Sequence, residues 1–178
     1  ESWEAGSSHA ITWSAPSVGP VRIEYSTNNG STWTIVAAST ANTGSYSWTV
    51  PASPSASCTV RISEAYDGEA VDTSDGVFTI VGLRVTSPNG GESWGVGSSH
   101  SITWETLGSY PTVRIELSTD AGVTWETLTS STANTGSFPW TVPDAISGSC
   151  LIRVSEATDG VPSDRSDSYF SIYNPPMI

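Results

Sequence analysis

Eight tryptophans are the residues in this chain best suited to touch a ligand, and they recur in two sets of four. The first set is Trp3, Trp13, Trp33 and Trp48; the second is Trp94, Trp104, Trp125 and Trp140. An exposed indole stacks on a sugar ring, whereas a buried one supplies core, removing about 150–250 Å² from water. Trp13, Trp48 and their counterparts alternate with polar neighbours, as core-facing strand residues do. Trp3, Trp33, Trp94 and Trp125 lie beside Gly and Ser at predicted strand ends, which makes them the carbohydrate-stacking candidates. A second recurring set is acidic. Asp67, Asp72 and Asp75 return as Asp159, Asp164 and Asp167, within DGEAVDTSD and DGVPSDRSD. Three carboxylates near one turn are calcium candidates, because Ca²⁺ takes oxygen ligands. The same residue types also cap turns.

Other chemistries find no constellation. His9 and His100 each follow Gly-Ser-Ser, one per copy, and read as surface strand residues; there is no H-E-x-x-H or C-x-x-C for a metal. No G-x-S-x-G elbow accompanies the abundant serine. Cys58 and Cys150 occupy the same place in the two copies and alternate with core residues. They read as small buried hydrophobes with no disulfide inside either copy. The expectation is a chain with no catalytic residues and no cofactor beyond the calcium candidates.

Charge narrows the partners. All six basic residues are Arg, against 18 acidic residues, for a formal charge of −12. Such a surface repels phosphate backbones and anionic membranes. No apolar run approaches the ~20 residues of a membrane helix. Ser and Thr together make up 54 residues.

The elements that position these residues follow from an internal repeat. ESWEAGSSHAITW (Glu1–Trp13) matches ESWGVGSSHSITW (Glu92–Trp104), Val21–Val50 matches Val113–Val142, and Pro51–Ile80 matches Pro143–Ile172. Identical residues number 44 of 73 across these blocks, at offsets of 91 and then 92. Within a copy the apolar period is two, as in Val21, Ile23 and Tyr25, or Cys58, Val60 and Ile62, with turn signals between runs. The pattern predicts about seven strands per copy, no helix, and an antiparallel sandwich of the immunoglobulin or fibronectin III kind. The predicted domains are 1–81 and 82–174, with 175–178 a tail or the start of a next unit. Leu83–Gly91 (LRVTSPNGG) precedes the second ESW and has no counterpart before the first, so the first sandwich lacks its N-terminal strand.

Two local readings accompany this architecture. If the Val21 and Cys58 strands pair, Arg22, Glu24 and Arg61 lie side by side in solvent, as do Arg114, Glu116 and Arg153; cross-strand ion pairs of this sort add ~0.2–1 kcal/mol. STDAGVTW (Ser118–Trp125), with STNNGSTW (Ser26–Trp33) beside it, resembles the Asp-box hairpin of sialidases and other secreted β-proteins. That resemblance implies a structural turn and no catalytic role. Asn29-Gly30-Ser31 is an N-glycosylation sequon at the tip of the first such hairpin.

The run SPNGGESWGVGSSHSITW, followed by VRIELSTDAGVTW, NTGSFPWTVP, CLIRVSEATDG and DRSDSYFSI, resembles the Ser/Thr-rich GPI-anchored cell-wall repeat family first associated with fungal β-glucan assembly. The resemblance implies an immunoglobulin-like sandwich, extracellular or cell-surface placement, repetition beside other modules and no known active site. The expected function is a non-catalytic structural module that spaces or assembles a surface protein or filament, its partners being neighbouring repeats or copies of itself. The alternative is a carbohydrate-binding accessory module with polysaccharide as partner. One assembly route is head-to-tail strand addition. The tail Tyr173, Asn174, Pro175, Pro176, Met177 and Ile178 falls where a next first strand begins, and is the candidate donor to the open first copy.

Overall fold

The computed structural model describes residues 1–69 and 71–176. Their regular structure consists of strands alone. In chain order these are β1 (Ser2–Glu4), β2 (Ser8–Thr12), β3 (Val21–Ser26), β4 (Thr34–Thr40), β5 (Ser45–Thr49), β6 (Ser55–Glu64), β7 (Asp72–Thr73) and β8 (Phe78–Ser87). There follow β9 (Ser93–Gly95), β10 (Ser99–Leu107), β11 (Thr112–Ser118), β12 (Glu126–Ala133), β13 (Ser137–Thr141), β14 (Ser147–Glu156), β15 (Ser163–Arg165) and β16 (Phe170–Tyr173). Two compact units result, Glu1–Val81 and Gly82–Ile178, and the boundary falls inside β8. The all-β sandwich expected from the apolar period is the architecture found.

In unit 1, β3 lies between β4 and β6 in the larger sheet. The first residues of β6 pair with Phe78–Ile80 of β8, and its later ones with β7. The facing sheet is the antiparallel pair β2–β5. Inward residues meet between the sheets: Ile23, Cys58 and Ile80 are fully buried, with Trp48 and Phe78 beside them. In unit 2, β12-β11-β14-β16 forms the larger sheet, with β15 also on β14. Its facing sheet has three strands, because Gly82–Ser87 of β8 pairs antiparallel with β10, which pairs with β13. Leu83 and Val85 from that added strand enter the core, alongside Ile102, Trp104, Ile152 and Phe170.

Three expectations need correction. The strands exceed seven per copy: β4 and β12 had no alternating signature. Register shifts where β3 meets β4 and β11 meets β12 break the period that sequence reading depends on. The sandwiches are not wholly antiparallel. The ESW segments form β1 and β9, which run parallel to β8 and β16; three residues are too short to show a period. The charged rows are not in solvent either. The register Glu24↔Arg61 is as expected, but Glu24 and Glu116 are buried beneath their arginines.

Candidate functional site

Two tryptophans per unit carry the stacking question. Trp94 is buried, its ring stacked on His100 at 4.2 Å between centroids and 6° between planes, and packed against Trp140 and Phe170. Trp3 makes the same stack on His9 at 4.5 Å and is half-buried. The imidazoles, half-exposed on β2 and β10 as surface strand residues, cover the indole faces, and each also hydrogen-bonds the hydroxyl of Ser7 or Ser98. Trp33 and Trp125 are half-buried on the outer face, where the guanidiniums of Arg61 and Arg153 lie 4.2 Å from their ring centroids. Such a cation–π contact is worth ~0.5–1 kcal/mol at an exposed site. Each arginine also holds a buried glutamate, Arg61 with Glu24 at 2.6 Å and Arg153 with Glu116 at 2.8 Å. Burial alone pushes the Glu24 carboxyl up; the hydrogen bonds and charges of Arg61 and Arg22 outweigh it and hold the group below the ordinary glutamate range.

The two Asp-box-like hairpins are turns fastened from within. In unit 2 the Asp120 carboxylate accepts from the N–H and hydroxyl of Thr124 and from the hydroxyl of Ser118. These bonds, Thr124's first, hold its pKa at about 2. In unit 1 the neutral Asn28 accepts from Thr32 N–H and Ser26 in the same way. Ala121 sits at φ 61° where unit 1 has Asn29 at φ 52°, a left-handed conformation that costs a β-carbon residue roughly 1–2 kcal/mol. Asn29, the sequon residue, is exposed.

The six recurring aspartates do not converge. Among the described residues no three His, Cys, Asp or Glu side chains gather as a metal ion needs. Asp67 and Asp159 each accept the N–H two residues on, from Glu69 and Val161, and so close turns. Asp164 and Asp167 do something else. The Asp164 carboxylate accepts the N–H of Val85 at 2.8 Å, and burial pushes its pKa above the ordinary aspartate value. Asp167 and Asn89 exchange two bonds, Asp167 N–H to Asn89 Oδ1 at 2.7 Å and Asn89 Nδ2 to Asp167 Oδ2 at 2.8 Å. Between them the buried Ser166 hydroxyl donates to the Pro88 carbonyl at 2.7 Å. Asp164, Ser166 and Asp167, whose residue types recur in the first copy at Asp72, Ser74 and Asp75, thus form a clasp that fastens the strand Leu83–Ser87 and its exit.

Among the described residues, no strand is held by the matching clasp residues of unit 1. Asp72, Ser74 and Asp75 are exposed, where Asp164 is half-buried and Ser166 is 2% exposed. A groove of about 670 Å³ opens beside them, lined by Ile11, Trp13, Ile62, Phe78, Asp72 and Ser74 among others. The β2 edge that faces it is paired, among the described residues, only on its other side, to β5. Trp13 is half-exposed there, whereas Trp104 is 3% exposed. Sequence reading gave no sign that Asp72 and Ser74 line this groove.

The tail candidates are placed in part. Tyr173 pairs with Gly95 in its own unit, and its carbonyl accepts the N–H of Val96. Asn174, Pro175 and Pro176 are exposed. Met177 and Ile178 lie outside the described residues.

No protein-family model and no curated protein matches the chain. Among solved structures it is similar to the fibronectin(III)-like modules of Clostridium thermocellum CbhA, at 15% identity and a TM-score of 0.38, covering 98% of this chain and 90% of that one. It is also similar to the two tandem V-type regions of VCBP3, a v-region-containing chitin binding protein, at 11% identity and a TM-score of 0.29, over 96% and 95% of the two chains. A third similarity is to immunoglobulin domains 1–5 of Sidekick-1, at 16% identity and a TM-score of 0.31, over 99% of this chain and 40% of that one.

Proposed function

We propose that this chain is a non-catalytic structural module of an extracellular or cell-surface protein, and that it spaces or assembles immunoglobulin-like units by passing a strand from one unit to the next. One observation carries the reading. The strand that closes unit 1, β8, continues without a break into Leu83–Ser87, which completes the smaller sheet of unit 2. The repeated residues are spent on architecture: tryptophans pack on histidines and under arginines, aspartates hold turns and the added strand. The Lys-free, Ser/Thr-dense composition and the resemblance to cell-wall repeats support surface placement.

The second reading, a carbohydrate-binding module, draws on the part-exposed edges of Trp33 and Trp125. A glycan array probed with the full chain separates the two, alongside thermal unfolding of Trp33→Ala. The structural reading expects no saturable glycan binding and a lower melting temperature in the variant. Glycan binding that the variant loses while keeping its melting temperature replaces it with the carbohydrate reading.

A further inference from the structure

We propose that the groove of unit 1 is a strand-accepting site. Its occupant is an extended peptide in the chemistry of Leu83–Asn89, supplied as the C-terminal extension of another such unit. The inference rests on the reading of the chain as a strand-linked module and names the partner and its register.

Unit 2 shows what the receptor residues do when the site is filled. Val85 pairs with Trp104 and Leu83 with Thr106 across the β8–β10 ladder, and both side chains are buried. The N–H of Val85 goes to Asp164, the carbonyl of Pro88 to Ser166, and Asn89 to Asp167. Unit 1 presents the same receptor side chains in sequence and along the groove, although β2 ends at Thr12 and the counterparts of the Trp104–Leu107 ladder follow it outside a strand from Trp13 on. Trp13 and Ile11 line the groove as Trp104 and Ile102 line the filled one. Asp72 and Ser74 line it too, with the Ser74 hydroxyl accepting the N–H of Val60 at 3.2 Å, as Ser166 accepts that of Ile152 at 3.0 Å. That bond leaves the Ser74 proton to donate to an incoming carbonyl.

The receptors dictate the ligand. Two apolar residues must stand at i and i+2, because alternate strand residues share a face. The residue between them is outward. Arg84 there pairs with Glu105, but Ser14 follows Trp13 where Glu105 follows Trp104, so unit 1 places no charge requirement on that position. A Ser-Pro-Asn exit then meets Ser74 and Asp75. The tail of a second copy fits less well. In the repeat register Pro175 and Pro176 fall at the Leu83 and Arg84 positions, and proline has no N–H for a ladder.

The test is a titration of the unmodified, ¹⁵N-labelled full chain with three synthetic peptides, read by amide chemical shifts. They are LRVTSPNGG, its variant with Asp at the Leu and Val positions, and YNPPMI. The first is expected to give saturable shifts confined to Ile11–Ala15, Val60–Ile62 and Asp72–Phe78, with a Kd below about 1 mM. The double-Asp peptide is expected to bind at least ~10-fold more weakly, the loss that roughly 1.4 kcal/mol produces. No saturable shift with the first peptide, or equal binding by the double-Asp peptide, overturns the site. Binding of YNPPMI as tight as that of LRVTSPNGG overturns the occupant in favour of a second copy. A blank titration with a silent glycan array removes this site and leaves the structural reading standing. Glycan binding lost in Trp33→Ala removes that reading whatever the peptides do.

Discussion

Units 1 and 2 share most of their residues but not their closure. Val21, Ile23 and Cys58 are buried as fully as Val113, Ile115 and Cys150. Away from this common core the two diverge along one edge. Trp104 is 3% exposed and Val154 is fully buried, while their partners Trp13 and Ile62 are only half-buried. The difference traces to a single strand, Leu83–Ser87, which lies outside the repeated blocks. A sandwich of this kind is therefore specified in two parts: a repeated body that packs itself, and a lid strand held by a clasp at Asp164, Ser166 and Asp167.

The largest expected effect comes from the tryptophan beneath that lid. Trp104→Ala empties a closed site and is expected to cost about 3–5 kcal/mol in unit 2. Trp13→Ala, at the open groove, is expected to cost distinctly less in unit 1. Urea unfolding followed by hydrogen exchange resolved by unit measures both; equal losses would mean that closure adds nothing to the packing.

Next come the arginines. Arg153→Ala strips the buried Glu116 of its ion-pair partner and uncovers Trp125, with an expected loss of about 1–3 kcal/mol. Arg61→Ala is expected to cost less, because Arg22 stays on Glu24 at 2.8 Å. A reversed order in the same unfolding assay breaks this part of the comparison.

The clasp gives a signed pH effect. Burial raises the folded pKa of Asp164, so the folded state disfavours its ionised form. The stability this group contributes is full below the unfolded value, about 3.9, and is lost as pH rises through the folded one. Asp164→Asn keeps an acceptor for Val85 N–H without the charge. It is expected to melt above the parent at pH 7, with the gap closing as pH falls towards about 4. A gap that persists in acid would place the effect elsewhere than the carboxyl.

The smallest effect separates the two hairpins. The Asp120 pKa is held at about 2, below the ordinary value of about 3.9. Its contribution is present above that ordinary value and is lost as pH falls through about 2. Asp120→Asn, which copies Asn28 of unit 1, is expected to change little at pH 7 and to flatten that acid decline. Melting curves between those limits read it out; an unchanged slope would detach the decline from Asp120.

Much of this was legible in the sequence, for identifiable reasons. The period of two placed Val21, Ile23 and Cys58 inward, and two-sheet burial follows from that period alone. The match of Glu1–Trp13 with Glu92–Trp104 marked Leu83–Gly91 as a segment outside the repeated blocks. What stayed hidden depends on partners far along the chain. Asp164 meets Val85 across 79 residues. Spacing within a turn suggested calcium for the aspartates because local carboxylates look alike whether they hold an ion, a turn or a neighbouring strand. The His9–Trp3 stack was invisible for a similar reason: alternation tells which face a side chain takes, not which ring lies against it.

The buried thiols have a consequence of their own. Cys58 and Cys150 are the only cysteines in the chain, one to each unit, and both are fully enclosed. Burial pushes both thiols up in pKa, so neither supplies a reactive thiolate while its sandwich is intact. Each is then a clock that starts only when its own unit opens. Their labelling rates, taken from one sample as a ratio, compare the breathing of a lidded and a lidless sandwich under identical conditions, with no mutation introduced.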